Sequence, residues 1–210
     1  KAVIVVTSNR GLAGGYNASV IKLITGSDLK PDDLLLYTVG NKGKEYFQHR
    51  EYTIAKDYSE VIENPMFSDA KEICEEVLGG YAAGEISEIY LAYTYFKNTV
   101  VHEPKLLKLL PVEIEEADIE AAKADSLMNY EPEETEALEI IIPKYVTSIL
   151  YGALVEAIAS ENGARMQAMD SATSNAQDMI DHLTLQYNRA RQGSITQELT
   201  EIIAGANAIE

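Results

Sequence analysis

Residues 2–24, AVIVVTSNRGLAGGYNASVIKLI, contain the pattern that decides the fold of this chain. Residues 3–6 form a short, uninterrupted apolar run, which is typical of a strand that is covered on both faces. A glycine-rich turn follows this strand, and a helical stretch runs over residues 16–24. The stretch therefore predicts one strand–turn–helix unit of an α/β fold.

Further strands and helices alternate along the first half of the chain. The predicted strands are residues 34–39, 52–54, 89–96 and 100–110, the last after a turn at Asn98. The predicted helices are residues 45–48, capped by Asn41, and residues 65–81, closed by Gly79 and Gly80. This alternation predicts a mostly parallel sheet with flanking helices over residues 1–110.

The sequence changes character over residues 111–142, which we interpret as an acidic connector with some short helix. Residues 111–139 hold eleven acidic side chains and one lysine, and so carry −10 of the net charge of −17. A run of like charges usually forms a solvated face. The connector is therefore expected to be exposed.

Residues 143–210 are predicted to form one long helix. All six prolines lie at or before position 143, and Pro143 fits the first turn of a helix, where its missing N–H costs no hydrogen bond. Over most of this segment a helix would span roughly 90 Å. A single domain of this size cannot bury that length, so the helix is expected to project.

Apolar residues step along this helix by three or four positions, with one gap at Ser160, as in a coiled-coil seam. The seam consists of Val146, Leu150, Ala153, Ala157, Ala164, Ala168, Ala172, Ala176, Met179, Leu183, Tyr187 and Ala190. No other predicted helix is long enough to pair with it. Because the chain starts one residue before a core strand, we expect upstream sequence to supply the partner helix. Without that partner, the chain is expected to self-associate.

Charge and composition exclude several classes of function. A net charge of −17 argues against a nucleic-acid partner and against a basic membrane-binding patch, since phosphate binding needs clustered Lys and Arg. The single cysteine, Cys74, cannot form an internal disulfide and is expected to be buried in a helix. No apolar run approaches the ~18 residues of a membrane span.

No motif in the sequence predicts a catalytic residue, a cofactor or a metal. Residues 8–17 lie where a phosphate loop would be, between a strand and a helix. Their glycines do not have G-x-G-x-x-G spacing, and no Gly-Lys-Ser/Thr follows, so a structural turn is the better interpretation. The histidines, which lie in different elements without metal-ligand spacing, are His49, His102 and His182.

Two polar clusters on the long helix, residues 165–176 and 187–198, mix small apolar residues with charged and amide groups, which favours a protein-contact surface. With these clusters the chain resembles the gamma subunits of rotary ATP synthases from end to end. The matching motifs are SNRGL at residues 8–12 with Asn17, YEP at 130–132, ARM at 164–166, AMD at 168–170, AT at 172–173, NA at 175–176 and YNRARQ at 187–192, with IT, EL, EI and GA pairs beyond.

The resemblance implies a Rossmann-like domain beside an antiparallel coiled coil. It also implies the central-stalk rotor subunit of a proton-translocating ATP synthase, although the sequence itself does not choose between protons and sodium ions. The implied partners are the alpha, beta and epsilon subunits and the membrane c-ring, at the cytoplasmic face of a bacterial plasma membrane. ATP chemistry would belong to the beta subunits.

The resemblance further implies eight contact residues in three groups. Those expected at the beta-subunit loops are Arg191, Gln192 and Thr196. Those in the small-polar stretch of the shaft are Met166, Met169 and Asp170. Those in the foot, near epsilon and the ring, are Tyr130 and Glu131. The alternative left open is a free α/β nucleotide-binding domain that dimerises through its C-terminal helix.

Overall fold

A computed structural model of the protein describes residues 1–112 and 134–207. The strands and α-helices of the described residues are β1 (Ala2–Val6), α1 (Tyr16–Thr25), β2 (Leu35–Val39), α2 (Asn41–Gln48), β3 (Ile54–Asp57), α3 (Phe67–Ala82), β4 (Ile89–Phe96), β5 (His102–Leu110) and α4 (Glu134–Asn207). By its contacts the chain divides into two units, Lys1–Gln167 and Ala168–Glu210.

The five strands form one sheet in the order β3-β2-β1-β4-β5. β1 pairs in parallel with β2 and with β4, and β2 pairs in parallel with β3. β5 is antiparallel to β4 and forms one edge. All five residues of the central strand β1 are buried, as its uninterrupted apolar run indicates. The prediction of a mostly parallel α/β sheet with a long C-terminal helix is confirmed.

Helices cover both faces of the sheet, and each face has its own apolar core. α1 and α2 cover one face, where Val20 and Phe47 pack against Val3 and Val5 of β1. α3 covers part of the other face, where Ile73 is fully buried. The alternating side chains of β1 thus point into two cores, which explains why every residue of this strand is apolar.

The first half of α4 completes the second core, and this corrects the prediction for the seam. Its buried apolar residues are Val146, Leu150, Ala153, Leu154 and Ala157. Four of them were predicted to face a partner helix from outside the chain, and that prediction was wrong. They pack on their own sheet because α3 covers only part of its apolar face, and burying one large aliphatic side chain is worth roughly 1.5–3 kcal/mol.

α4 begins at Glu134, nine residues before the predicted start at Pro143. A proline inside a helix removes the hydrogen bond to the carbonyl four residues earlier. Here that carbonyl belongs to Glu139, which is exposed, so water can satisfy it. The helix therefore includes residues 134–142 of the predicted connector, and residues 113–133 lie outside the described residues.

α2 begins at Asn41, four residues before the predicted start, because its first N–H groups find oxygen atoms on the turn after β1. The donor and acceptor pairs are Asn41 to the Asn9 side chain, Lys42 to the Ser8 carbonyl and Gly43 to the Thr7 hydroxyl. These partners are more than thirty residues away in sequence, so no local pattern indicates them.

Three further boundaries differ from the prediction. β3 lies at Ile54–Asp57 rather than at residues 52–54, because its pairing with β2, rather than an apolar run, defines it. β5 begins at His102, after the turn at Asn98. α3 continues through Gly79 and Gly80 to Ala82, since Gly80 serves packing rather than termination: a Cβ there would lie 2.7 Å from the Ile86 side chain.

By length and composition, α4 is the one described helix that could cross a membrane, with an 18-residue window of mean hydropathy 1.5. The sequence prediction found no such run. The same helix supplies the five buried apolar residues of the second core named above. Packing within the structure buries 28% of that window.

Candidate partner-contact surface and the seat of the long helix

The second unit is described from Ala168 to Asn207 and consists of α4 alone. Every residue from Met169 to Asn207 is exposed. The ten large hydrophobic side chains among them are Met169, Met179, Ile180, Leu183, Leu185, Tyr187, Ile195, Leu199, Ile202 and Ile203. Soluble proteins rarely leave so much contiguous apolar surface in water unless a partner covers it. This helix is therefore a candidate contact surface for other proteins.

Arg191, Gln192 and Thr196 lie close together on this exposed helix. At 100° per residue, their side chains project from the helix within an arc of about 140°. The Thr196 hydroxyl donates a hydrogen bond to the Gln192 carbonyl at 2.8 Å, as is common inside helices. The Arg191 guanidinium and the Gln192 amide have no hydrogen bond within the part of the chain that the structure describes, and both are available to a partner's oxygen atoms.

The other predicted contact residues are also exposed where the structure describes them. Met166 lies near the end of the first unit, with 57% of its surface exposed. Met169 and Asp170 lie side by side at the start of the second unit. The two predicted foot residues, Tyr130 and Glu131, lie outside the described residues.

Sequence patterns missed a group of contacts that hold α4 on the sheet, which we call the helix seat. The Tyr16 hydroxyl, at the first residue of α1, donates to the Ala157 carbonyl at 3.1 Å. One turn further along α4, the Ser160 hydroxyl donates to the Thr94 carbonyl of β4 at 3.3 Å. Tyr16 and Ser160 are both buried. The gap at Ser160 in the apolar stripe is the one sign of this seat in the sequence.

Two further contacts extend the helix seat along α4. Gly163 is buried against His102, the first residue of β5, so closely that a Cβ at position 163 would lie 2.7 Å from the imidazole Cε1. The Gln167 side-chain amide donates to the Val100 carbonyl at 3.4 Å. The seat therefore runs over residues 157–167, which is about 15 Å of helix.

The helix seat occupies the crevice where doubly wound α/β folds bind ligands. The strand order reverses between β1 and β4, and such folds bind nucleotides outside the carboxyl ends of the strands at that point. Tyr16 follows the turn after β1, and Thr94 lies near the carboxyl end of β4; both are bonded to α4. The first N–H groups of α2 are engaged with the turn after β1 as well. For the nucleotide-binding alternative, part of the usual site is therefore occupied by α4.

Asp57, at the end of β3, is a carboxylate with three hydrogen-bond donors around it. Lys44, Ser59 and Thr38 donate hydrogen bonds to it at 2.7, 2.5 and 3.1 Å. Burial pushes the pKa of Asp57 upward, but these three bonds outweigh it and hold the pKa below its ordinary value. The cluster ties β2, α2 and the loop after β3 together, which is a structural role.

Among the described residues, no group of three or more His, Cys, Asp and Glu side chains is placed to hold a metal ion. Cys74 is buried in α3, as predicted, and burial raises the pKa of its thiol to about 11. The thiol is therefore protonated at neutral pH and a poor nucleophile. His49 and His182 are exposed.

Comparison with known proteins gives one consistent family. Residues 1–209 match a family model described as ATP synthase. The ATP synthase gamma chain of Lachnoclostridium phytofermentans is 63% identical over 215 aligned residues, covering 100% of this chain and 74% of that protein. The "ATP synthase gamma chain, sodium ion specific" of Acetobacterium woodii is 43% identical, covering 99% of this chain and 74% of that protein.

Solved structures agree with these relatives. A chain of the central stalk and c-ring of the Tetrahymena thermophila mitochondrial ATP synthase aligns with a TM-score of 0.64 and 26% identity, over 82% of this chain and 75% of that one. A chain of the Euglena gracilis mitochondrial ATP synthase aligns with a TM-score of 0.72 over 99% of this chain and 72% of that one. At 17% identity, the second match speaks for the fold alone.

Proposed function

This chain belongs to the ATP synthase gamma-chain family, and on that basis we propose that it is the rotating central-stalk subunit of an ATP synthase. In this role it couples ion flow through a ring in the membrane to ATP synthesis in a hexamer of alpha and beta subunits. The observation that carries the proposal is the second unit, a single helix that exposes ten large hydrophobic side chains. A shaft can act on the subunits around it only through contacts along its own surface.

Rotation acts on the catalytic subunits through differential contact. A single helix presents different side chains in each direction, so each orientation of the shaft favours a different conformer of the neighbouring site. Reversing a 1:99 population requires a difference of about 5.5 kcal/mol between the two conformers. A few buried aliphatic side chains, at roughly 1.5–3 kcal/mol each, are enough for that difference.

The chain is proposed to be a non-catalytic component, with the ATP chemistry on the beta subunits. The contacts of α4 at the carboxyl ends of β1 and β4 support this, because α4 occupies part of the crevice where the fold would bind a nucleotide.

The eight predicted contact residues keep their proposed roles. The exposed group that meets the beta-subunit loops consists of Arg191, Gln192 and Thr196. The residues along the shaft are Met166, Met169 and Asp170. Tyr130 and Glu131 are assigned by the family resemblance to the foot, near the epsilon subunit and the ring.

The complex is proposed to sit at the cytoplasmic face of a bacterial plasma membrane. The bacterial relatives named above support this location. The proposal covers both protons and sodium ions as the coupling ion, because a relative that is 43% identical is named sodium ion specific.

The test is to co-express the full gene product with the alpha and beta subunits of the same organism and to purify the complex. A stable complex that contains this chain and hydrolyses ATP is the expected result. A hexamer that assembles and purifies without this chain would contradict the proposal. Titration of the isolated chain with ATP and with NAD, followed by calorimetry, addresses the alternative: micromolar binding would favour a nucleotide-binding domain.

The contact assignment has its own test in the same complex. Arg191→Ala should lower the ATPase rate roughly tenfold, because a charge-assisted hydrogen bond contributes about 1.5–3 kcal/mol. Arg189→Ala is the matched control. This arginine carries the same charge on the same exposed helix, but its side chain projects about 160° around the helix axis from that of Arg191. Equal effects of the two substitutions would remove Arg191 from the contact group.

A further inference from the structure

We infer that the helix seat fixes the rotational setting of α4 about its own axis and so transmits torque between the sheet of the first unit and the helix. The inference rests on the proposed rotor function and adds positioning residues to it, namely Tyr16, Ser160 and the pair Gly163 and His102. If α4 could rotate relative to the sheet under torque, the rotation of one would not be passed to the other. Residues 157–167 are where the described chain can prevent such slipping.

Apolar packing opposes large rotations of α4, since turning the helix would expose its buried side chains, but the hydrophobic effect is non-directional and sets the fine rotational position less strictly. Residues 146–157 offer mainly apolar side chains to the sheet. Hydrogen bonds instead require a defined distance and angle. Turning α4 by one residue would separate the Ser160 hydroxyl from the Thr94 carbonyl and the Ala157 carbonyl from the Tyr16 hydroxyl. Two buried hydroxyl groups would then lack partners, which opposes the rotation.

The state of the Tyr16 hydroxyl suits this role. Tyr16 is buried, and burial is the main cause that raises the pKa of its phenol far above the ordinary value. The hydroxyl therefore remains a hydrogen-bond donor to the Ala157 carbonyl at every pH at which the protein operates. A contact that transmits force is not switched by ordinary changes of proton concentration.

The contacts reach α4 from three different elements and at several points along its length. Tyr16 belongs to α1, Thr94 to β4 and His102 to β5. They meet α4 over about 9 Å, between residues 157 and 163, and the contact of Gln167 with Val100 extends the seat to about 15 Å. Because several elements contact α4 at separate points, the contacts resist both rotation of the helix about its axis and tilt of that axis.

The contact between Gly163 and His102 acts as a steric stop. Both imidazole nitrogen atoms are buried, and neither has a hydrogen-bond partner among the described residues, so the ring acts through its shape. A Cβ at position 163 would also lie 3.2 Å from the Thr99 carbonyl oxygen. Rotation of α4 in either direction would move the side chain of Asn162 or Ala164 toward this narrow space.

The test uses the assembled complex in membrane vesicles and measures ion pumping per ATP hydrolysed. Gly163→Ala should lower this ratio at least about fivefold, because the added methyl group forces α4 away from His102. The double variant Gly163→Ala/His102→Ala should restore the ratio, since it removes the clash. Gly152→Ala is the matched control on the same helix, because a Cβ there meets nothing within 4 Å.

A second substitution probes the hydrogen bond instead of the shape. Tyr16→Phe keeps the ring and removes only the hydroxyl, so it should lower the pumping ratio while hydrolysis continues. The thermal midpoint of each complex is measured in parallel. If hydrolysis and pumping fall together with the midpoint, the seat has only a structural role and the inference is overturned.

Two other outcomes would overturn it as well: an unchanged ratio in Gly163→Ala, or a double variant that stays uncoupled. Failure of the proposed rotor function would give a result that can be told apart from these outcomes. In that case the unsubstituted chain does not join an active complex at all, and both the proposed function and this inference fall together.

Discussion

Gly40 joins β2 to α2 in a geometry that no other residue type can adopt without strain. Its φ is 107°, and a Cβ there would lie 2.1 Å from the backbone carbonyl oxygen of Thr7. The same turn after β1 supplies the oxygen atoms that receive the first N–H groups of α2. A single missing side chain therefore lets two loops at the carboxyl end of the sheet come into contact.

Gly40→Ala is expected to destabilise the first unit by about 3 kcal/mol, the sum of left-handed backbone strain and a steric clash. Urea denaturation followed by circular dichroism measures the change. Gly79→Ala is the control, because this helical glycine meets nothing within 4 Å and alanine should stabilise α3 by about 0.5–1 kcal/mol. Similar effects at both positions would show that the contact with Thr7 is unimportant.

Asp57→Asn is expected to lower stability by about 1–3 kcal/mol at neutral pH, because the carboxylate accepts three hydrogen bonds. The folded pKa of Asp57 lies below its ordinary value of 3.8. The stabilisation is therefore fully present above that pH and is lost as pH falls through the folded pKa.

The wild type should accordingly lose more stability than Asp57→Asn between about pH 6 and about pH 2. Thermal unfolding at a series of pH values gives the comparison. Asp28→Asn, on an exposed side chain, controls for the loss of one negative charge. Parallel curves for the wild type and Asp57→Asn would contradict the prediction.

α4 serves two purposes along its length. Its residues 146–160 form part of a core, whereas residues 169–207 are exposed without exception. The sequence predicts both parts as one apolar stripe, because the spacing of three or four is the same in each. What covers a stripe is set by the rest of the fold, and spacing does not report it.

Leu150→Ala is expected to cost about 2–5 kcal/mol, since this side chain is fully buried in the second core. Val155→Ala is the matched control five residues further along the same helix, where 46% of the side chain is exposed. Its cost should stay below about 1 kcal/mol. Denaturant titration distinguishes the two, and equal costs would argue against packing of α4 on the sheet.

Elements with a strong local pattern could be predicted closely. β4 was predicted at residues 89–96 and is observed at Ile89–Phe96, because its apolar run is long and rich in β-forming residues. The edge strand β3 has Lys56 and Asp57 instead of such a run, and its position was missed. The start of α2 was missed because its N-terminal partners, Asn9 and Thr7, are distant in sequence.

The candidate site was predictable to a different degree. Arg191 and Gln192 were singled out through their motif, which matches the family now confirmed by comparison, and their contact role stays a prediction. The helix seat was not found, because the contacts of Tyr16 and Ser160 join residues 141 and 66 positions apart. Tertiary hydrogen bonds of that kind leave almost no mark on a local pattern.

The molecule combines an α/β sheet with a long helix, α4, that packs at the carboxyl ends of β1 and β4, where such sheets often bind ligands. The fold by itself would suggest a nucleotide site between β1 and β4, as doubly wound sheets usually provide. The function proposed above rests instead on family membership and on the exposed surface of residues 169–207. Family membership and the contacts of α4 at that crevice support the same proposal from independent observations.

The isolated chain is expected to self-associate as its concentration rises, because the apolar residues of the second unit have no cover within the described residues. Sedimentation velocity over a concentration series is the measurement. Replacing Met179, Leu183 and Tyr187 by glutamine should shift the chain toward the monomer. A monodisperse monomer at every concentration before substitution would contradict the prediction.

The order of the elements along the chain has a consequence for its synthesis. β5 ends at Leu110, but the cover for the second face of the sheet is complete only when α4 has been made as far as Ser160. At about 5–20 residues per second, translation of these roughly 50 residues lasts about 3–10 s. Throughout that interval the nascent sheet presents an incompletely covered apolar face at the ribosome, where a chaperone can bind it and where premature release would leave it prone to aggregate.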